Sequence, residues 1–248
     1  MAVLNCSYRS VALEKNTMLN VILPDVREAG VKIRALYLLH GYTDDYSAWM
    51  TYTSIGRYVR DENIAVIMPD AQKSFYADMY YGDNYYTYIS KELPHWCEAQ
   101  FNISCDRNER YIAGLSMGGY GALKIGLSNI DSYRAIGAFS PACNVKNIQQ
   151  SHELLHTAIM GPGVDSVGSD ADLYKLCENA ENAGKMPLEI YHWCGSDDFM
   201  IEDNREFAAY MRNKSFCNYT FCETDGDHSW VYWDREVEKF IGIIKKLN

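Results

Sequence analysis

At 248 residues the chain is long enough for one large domain or two small ones, and a chain of this length buries most of the surface its unfolded form exposes. Its 48% hydrophobic and 23% charged residues are those of a soluble globular protein, which sets aside a disordered chain and a membrane-embedded one. A formal charge of −10 with no run of lysine or arginine argues against nucleic acid and anionic membrane surfaces as partners.

The start, MAVLNCSYRSVALEKN, has no basic segment followed by an apolar stretch and a cleavage site, so a cytoplasmic location is expected. Residues 3–23, which take in most of the apolar run MLNVILP (18–24), are expected to form an antiparallel hairpin or ribbon at a sheet edge. Strand-length apolar runs then recur: IRALYLLHG (33–41), IAVIMPD (64–70), RYIAGLS (110–116), RAIGAFS (134–140), LEIYHWCG (188–195) and YTFCET (219–224). Continuous rather than alternating hydrophobicity marks strands buried on both faces, as in a parallel sheet. Between them, apolar residues spaced by three and four predict helices over 47–63, 85–101, 118–129, 170–184, 203–214 and 233–247. This alternation predicts an α/β fold, a mostly parallel central sheet with helices on both faces. No repeat or linker interrupts it, so residues 1–248 are read as a single domain. Two long connections, 71–84 and 141–168, are expected to line a pocket, because ligands bind beyond the carboxyl ends of the strands. The eight cysteines are scattered, include no CxxC pair and lie in apolar segments, so they read as small buried hydrophobes rather than a disulfide framework or a metal site.

The segment GLSMGGYGALKIG (114–126) carries the chemistry. Gly114-Leu115-Ser116-Met117-Gly118 matches G-x-S-x-G, with a strand before it and a helix after it. So sharp a turn strains the serine backbone, and a side chain two residues to either side would strike neighbouring backbone, which accounts for the glycines. The unpaired N–H groups at the start of the following helix face any oxyanion formed beside Ser116, and the Met117 N–H is the natural donor. A serine hydroxyl needs a base, and the base an orienting acid. Of six histidines, only His228 stands in a loop after the last predicted strand. His40 reads as shaping the loop beside it; His192 lies within a strand; His95, His152 and His156 read as solvated or structural. The strand LEIYHWCG runs into Asp197 and Asp198, and spacing does not choose between them, while Glu202 and Asp203 open the next helix. A second oxyanion donor is expected in the loop after LYLLHG, at the Tyr42 N–H.

With these residues assembled, the chain resembles the esterase D, S-formylglutathione hydrolase and tributyrin esterase group of α/β-hydrolases, which includes feruloyl and acetylxylan esterases. LYLLHGYTDDYSAW is similar to the group's oxyanion loop, GLSMGGYGALKIGL to its nucleophile elbow, CGSDDFMIEDNREF to its acid loop and DGDHSWVYWD to its histidine loop. The group's aspartate stands directly before a large apolar residue, which implies Asp198, before Phe199, as the acid. The segment SFYADMYYGDNYYTYISKELPHW resembles the small tributyrin-type carboxylesterases, which act on short acyl esters, acetylated sugars among them.

The expected activity is therefore that of a serine carboxylesterase for short acyl esters, with Ser116, His228 and Asp198 as its triad, and with neither cofactor nor metal. Trp49, Tyr76, Tyr80 and Trp230 are candidate contacts to a small ester, an acylated sugar or an aryl ester, since aromatic rings with polar edges suit both. A feruloyl esterase and an acyltransferase share the machinery. S-formylglutathione hydrolysis is disfavoured, because Leu115 and Tyr120 stand where that branch usually has histidines. A non-catalytic binding protein would not need the three groups intact. The sequence leaves association into a homo-oligomer open.

Overall fold

The structure, a computed structural model, describes residues 1–25, 30–184 and 187–247. Eight strands lie in the order β1-β2-β4-β3-β5-β6-β7-β8. They are β1 (Ala2–Arg9), β2 (Asn16–Leu23), β3 (Arg34–Leu39), β4 (Ile64–Pro69), β5 (Arg110–Leu115), β6 (Ala135–Phe139), β7 (Glu189–Gly195) and β8 (Asn218–Thr224). β1 pairs antiparallel with β2, and β2 with β4; every other pairing is parallel. The expected edge hairpin is thus present, and the sheet is mostly parallel.

Strands β3 to β6 are buried along almost their whole length, whereas the edge strands β1 and β8 alternate with solvent. The twofold period of a strand divides their apolar residues between two cores. On β3, Ala35, Tyr37 and Leu39 face one core and Leu36 and Leu38 the other. The first core is covered by α4 (Leu93–Phe101), α5 (Met117–Ser128), α8 (Leu173–Ala183) and α9 (Ile201–Met211). The second is covered by α1 (Ala48–Tyr52), α2 (Ile55–Tyr58) and α10 (Trp230–Ile244). Among the described residues no helix is long and apolar enough to cross a membrane.

Three departures from the sequence expectation have local causes. The helix over 47–63 is two short helices, α1 and α2. Thr53 Oγ1 bonds the Trp49 carbonyl at 2.5 Å, and Asp234 on α10 accepts the Ser54 N–H at 2.9 Å, so the chain is drawn out of the helical path. The helix over 85–101 starts as α3 (Tyr85–Thr87) and passes through a π turn, Tyr88–Glu92, before α4. Pro94 has no N–H to offer the Ser90 carbonyl, and the wider turn accommodates that lost bond. The connection 141–168 contains α6 (Val145–Ser151), capped by Asn144 Oδ1 on the Lys146 N–H, and α7 (Glu153–Met160).

Candidate active site

Strands β3, β5, β7 and β8 run parallel, so their carboxyl ends meet at one edge of the sheet, and the loops leaving them converge there. Ser116 sits between β5 and α5 with φ 51° and ψ −115°, a conformation that costs a residue with a Cβ. The close approach that forces it also fixes its neighbours. A Cβ on Gly114 would come within 2.4 Å of the Gly118 carbonyl oxygen, and one on Gly118 within 2.4 Å of the Leu39 carbonyl oxygen.

His228 leaves the loop after β8 with Nε2 3.0 Å from Ser116 Oγ and Nδ1 2.8 Å from Asp198 Oδ2. Asp198 is buried, and its second oxygen accepts the Met200 N–H at 2.9 Å. Asp197 is exposed, turned away by the bond from its N–H to the Gly226 carbonyl. Burial pushes the Asp198 pKa up, but the hydrogen bond and charge of His228, the Met200 N–H and the Ser140 hydroxyl outweigh it and hold the carboxyl below its ordinary range. A carboxylate only accepts, so Nδ1 is the donor and the lone pair of Nε2 is left facing the serine hydroxyl.

On the other side of Ser116, the turn after β3 is held from several directions. Trp49 Nε1 donates to the Leu39 carbonyl at 3.0 Å and the Tyr76 hydroxyl to the His40 carbonyl at 2.9 Å. His40 Nε2 accepts the Ala71 N–H at 2.9 Å, while its Nδ1 lies 2.7 Å from the Gly41 carbonyl oxygen. Across a trans peptide the C=O and N–H point oppositely, so fixing the Gly41 oxygen also fixes the direction of the Tyr42 N–H. The Asp44 carboxylate accepts the Gly41 N–H at 3.2 Å and completes the turn.

Ser116 and His228 open onto a cavity of about 740 Å³ whose wall includes Tyr42, Met117 and Trp230. The other three aromatic candidates lie elsewhere. Trp49 is 1% exposed and stands behind Trp230, edge to face with ring centroids 5.0 Å apart. Tyr76 is fully buried, its ring so close to Gly121 that a Cβ there would meet it at 2.3 Å. Tyr80 is 63% exposed and packs on Tyr81. Trp49 and Tyr76 are recruited to hold the β3 turn, and Tyr80 is carried outward where its backbone N–H bonds the Ile159 carbonyl.

Several wall residues were not anticipated. Phe75 comes from the connection 71–84, and Asn144, Asn147, Ile148 and His152 come from α6 and its ends. His152, expected to be solvated or structural, packs its ring 5.0 Å from that of Tyr42. Phe199 lies over the His228 imidazole at 4.6 Å, and Ser140, buried at the end of β6, faces Asp198. The Asn144 cap followed by apolar residues at 145 and 148 is the sequence signal that would have placed the α6 wall.

The family model described as putative esterase matches residues 10–244. The chain is 30% identical to the acetyl esterase of Caldicellulosiruptor saccharolyticus, with 100% of each covered. The fluorophosphonate-binding serine hydrolase F of Staphylococcus aureus superposes with a TM-score of 0.93 at 32% identity, covering 100% of this chain and 98% of that one. An S-formylglutathione hydrolase of the same organism superposes with a TM-score of 0.87, also at 32% identity, covering 100% and 99%.

Proposed function

The chain belongs to the putative esterase family, and on that premise we propose that it is a serine carboxylesterase for short-chain acyl esters, acylated carbohydrates among them, acting through Ser116, His228 and Asp198. The observation that carries this reading is the unbroken run of hydrogen bonds from Asp198 through His228 to Ser116, ending in the cavity.

In this mechanism Ser116 Oγ attacks the ester carbonyl as His228 Nε2 takes its proton, and Asp198 steadies the imidazolium. The carbonyl oxygen, now an anion, is held by the N–H groups of Met117 and Tyr42, each worth on the order of 3 kcal/mol to the transition state. His228 then gives its proton to the leaving alcohol, and the acyl group stays on Ser116. Water, deprotonated by His228, attacks the acyl-enzyme; the bond to Oγ breaks, the proton returns to the serine, and the carboxylic acid leaves.

A neutral substrate suits the cavity wall, which carries the carboxylates of Asp44 and Asp203 and, among the described residues, no lysine or arginine. That supports an acyl ester over an anionic glutathione thioester. The relative that is an acetyl esterase supports a short acyl group.

The test is initial rates on p-nitrophenyl acetate, butyrate and octanoate and on methyl ferulate, with Ser116→Ala alongside. Hydrolysis of the acetate and butyrate that is lost in the variant, together with fluorophosphonate labelling of Ser116, is the expected result. Equal rates in the two proteins would reject Ser116 as the nucleophile.

A further inference from the structure

A second cavity, of about 710 Å³, lies away from the serine, where the carboxyl-terminal half of α5 faces α8 and the ring of Tyr86. Its wall includes Lys124, a residue that the esterase chemistry does not use. Lys124 is 6% exposed, so its side chain has given up most of its contact with water. Its Nζ lies 5.6 Å from the centre of the Tyr86 ring and 5.8 Å from that of Tyr120. Ring faces attract a cation but offer its three N–H groups no lone pair of hydrogen-bonding strength. Among the described residues no oxygen accepts a hydrogen bond from Lys124 and no carboxylate comes within ion-pair distance of it. A cation on a largely buried side chain, with no acceptor from the protein, gains from a ligand that brings one.

The rest of the wall defines that ligand. Asp78 and Asp170 are exposed members of the wall and act on Lys124 only through their longer-range field. Asp78 is already engaged with the backbone N–H and hydroxyl of Thr87 at 2.8 and 2.7 Å. Two such carboxylates repel a dianion twice as strongly as a monoanion. Leu127, Ile130, Met160 and Leu176 form an apolar part of the wall that would cover a hydrocarbon chain but offers nothing to a phosphate or a polyol. The Tyr86 hydroxyl accepts from Asn129 Nδ2 at 3.0 Å and keeps its own proton to donate.

We propose that this cavity is a second ligand site that takes a monocarboxylate, its carboxylate paired with Lys124 and its short apolar chain lying along Leu127, Ile130, Met160 and Leu176. Burial lowers the Lys124 pKa to about 8, against the opposing field of Asp78 and Asp170, so the amine is mostly protonated at neutral pH and able to pair with the anion. The site does not depend on the assignment of Ser116, because binding is measured without turnover.

The experiment is calorimetric titration of hexanoate into the full-length Ser116→Ala protein, repeated with Lys124→Met or Asn179→Trp added. Lys124→Met removes the charge and keeps the length of the side chain. Asn179 is an exposed residue of the wall, so the tryptophan takes up cavity space while leaving Lys124 and the core intact. Saturable hexanoate binding weakened at least tenfold by each added substitution is expected, with inorganic phosphate bound no better by Ser116→Ala alone than by its Lys124→Met derivative. Should Lys124→Met fail to fold, Asn179→Trp decides alone. Isotherms unchanged by the substitutions, no hexanoate binding at all, or Lys124-dependent phosphate binding as tight as that of hexanoate would each overturn the proposal. Failure of the esterase reading would appear separately, in the ester hydrolysis rates.

Discussion

At the level of single residues, Asp197 and Asp198 are chemically identical neighbours separated by the backbone alone. The N–H of Asp198 closes a turn on the Gly195 carbonyl at 3.2 Å, and its side chain points inward to His228, while Asp197 faces solvent. Asp198→Asn would present an amide N–H or carbonyl to Nδ1 and release the imidazole tautomer that leaves Nε2 basic. The expected loss in kcat is about 10⁴-fold, and Asp197→Asn should stay within about twofold of the parent. Steady-state kinetics of the two variants on p-nitrophenyl acetate make the comparison; a larger loss in Asp197→Asn would reverse the assignment. Spacing in the sequence left this choice open because both residues follow β7 in the same turn. The family pattern selected Asp198 through Phe199, and that ring is 76% exposed and lies against the imidazole rather than in the core. The aromatic candidates were less legible, since a tyrosine or tryptophan in a loop carries no periodicity to say which way it points. Tyr76 and Trp49 went inward because the carbonyls of His40 and Leu39 needed donors.

Among the elements, the turn from β5 into α5 is the most tightly specified and was the easiest to read. Its glycines mark places where backbone meets backbone, a constraint that leaves a direct trace in sequence. Gly118→Ala would drive a Cβ to 2.4 Å from the Leu39 carbonyl oxygen and 2.6 Å from that of His40, neither of which can rotate away. A destabilisation of roughly 3 kcal/mol is expected, with loss of fluorophosphonate labelling as the serine shifts. Gly242, in α10, is the opposite case: beyond its chain neighbours and its own helix's backbone, no atom of the described residues lies within 4 Å of where its Cβ would stand. Gly242→Ala should therefore stabilise the protein by roughly 0.5–1 kcal/mol through lower backbone entropy in the unfolded chain. Urea midpoints measure both, and the signs should differ. By contrast, the sequence presents α6 and α7 as part of one long connection, 141–168. They are 7 and 8 residues long, too short for periodicity to stand out beside the turn residues of PACN and GPG. α6 and the residues at its ends, Asn144 and His152, supply part of the cavity wall, which is why the nucleophile and its base are more legible than the substrate-facing surface.

Across the whole molecule, the parallel strands leave long apolar runs in the sequence because both faces of the sheet are covered, and this made the architecture readable. The same burial places a histidine where no water reaches it. His192, in the middle of β7, is fully buried, with Nε2 2.6 Å from Asn204 Oδ1 and Nδ1 2.7 Å from the Tyr219 hydroxyl. Asn204 in turn spends its amide N–H groups on the carbonyls of Pro141 and Met200, so its Oδ1 faces the ring as acceptor and Nε2 carries the proton. This chain of bonds ties β7, β8 and α9 to the loop that follows β6. Burial lowers the His192 pKa from 6.5 to about 4, partly opposed by the bond to Asn204. Between those two pH values the unfolded chain binds a proton at this residue and the folded one does not, so acid draws the equilibrium toward unfolding. The stability contributed is complete above pH 6.5 and falls as the pH drops toward 4, by on the order of 3 kcal/mol across the window. Asp198, whose carboxyl is held low, adds its own loss only at lower pH, as the folded-state carboxylate is protonated. Urea unfolding at intervals from pH 7.5 to pH 4 should show this decline, and His192→Gln, which cannot take up a proton, should flatten it even where its stability at pH 7.5 is lower. An equally steep decline in the glutamine variant would place the acid sensitivity elsewhere in the fold.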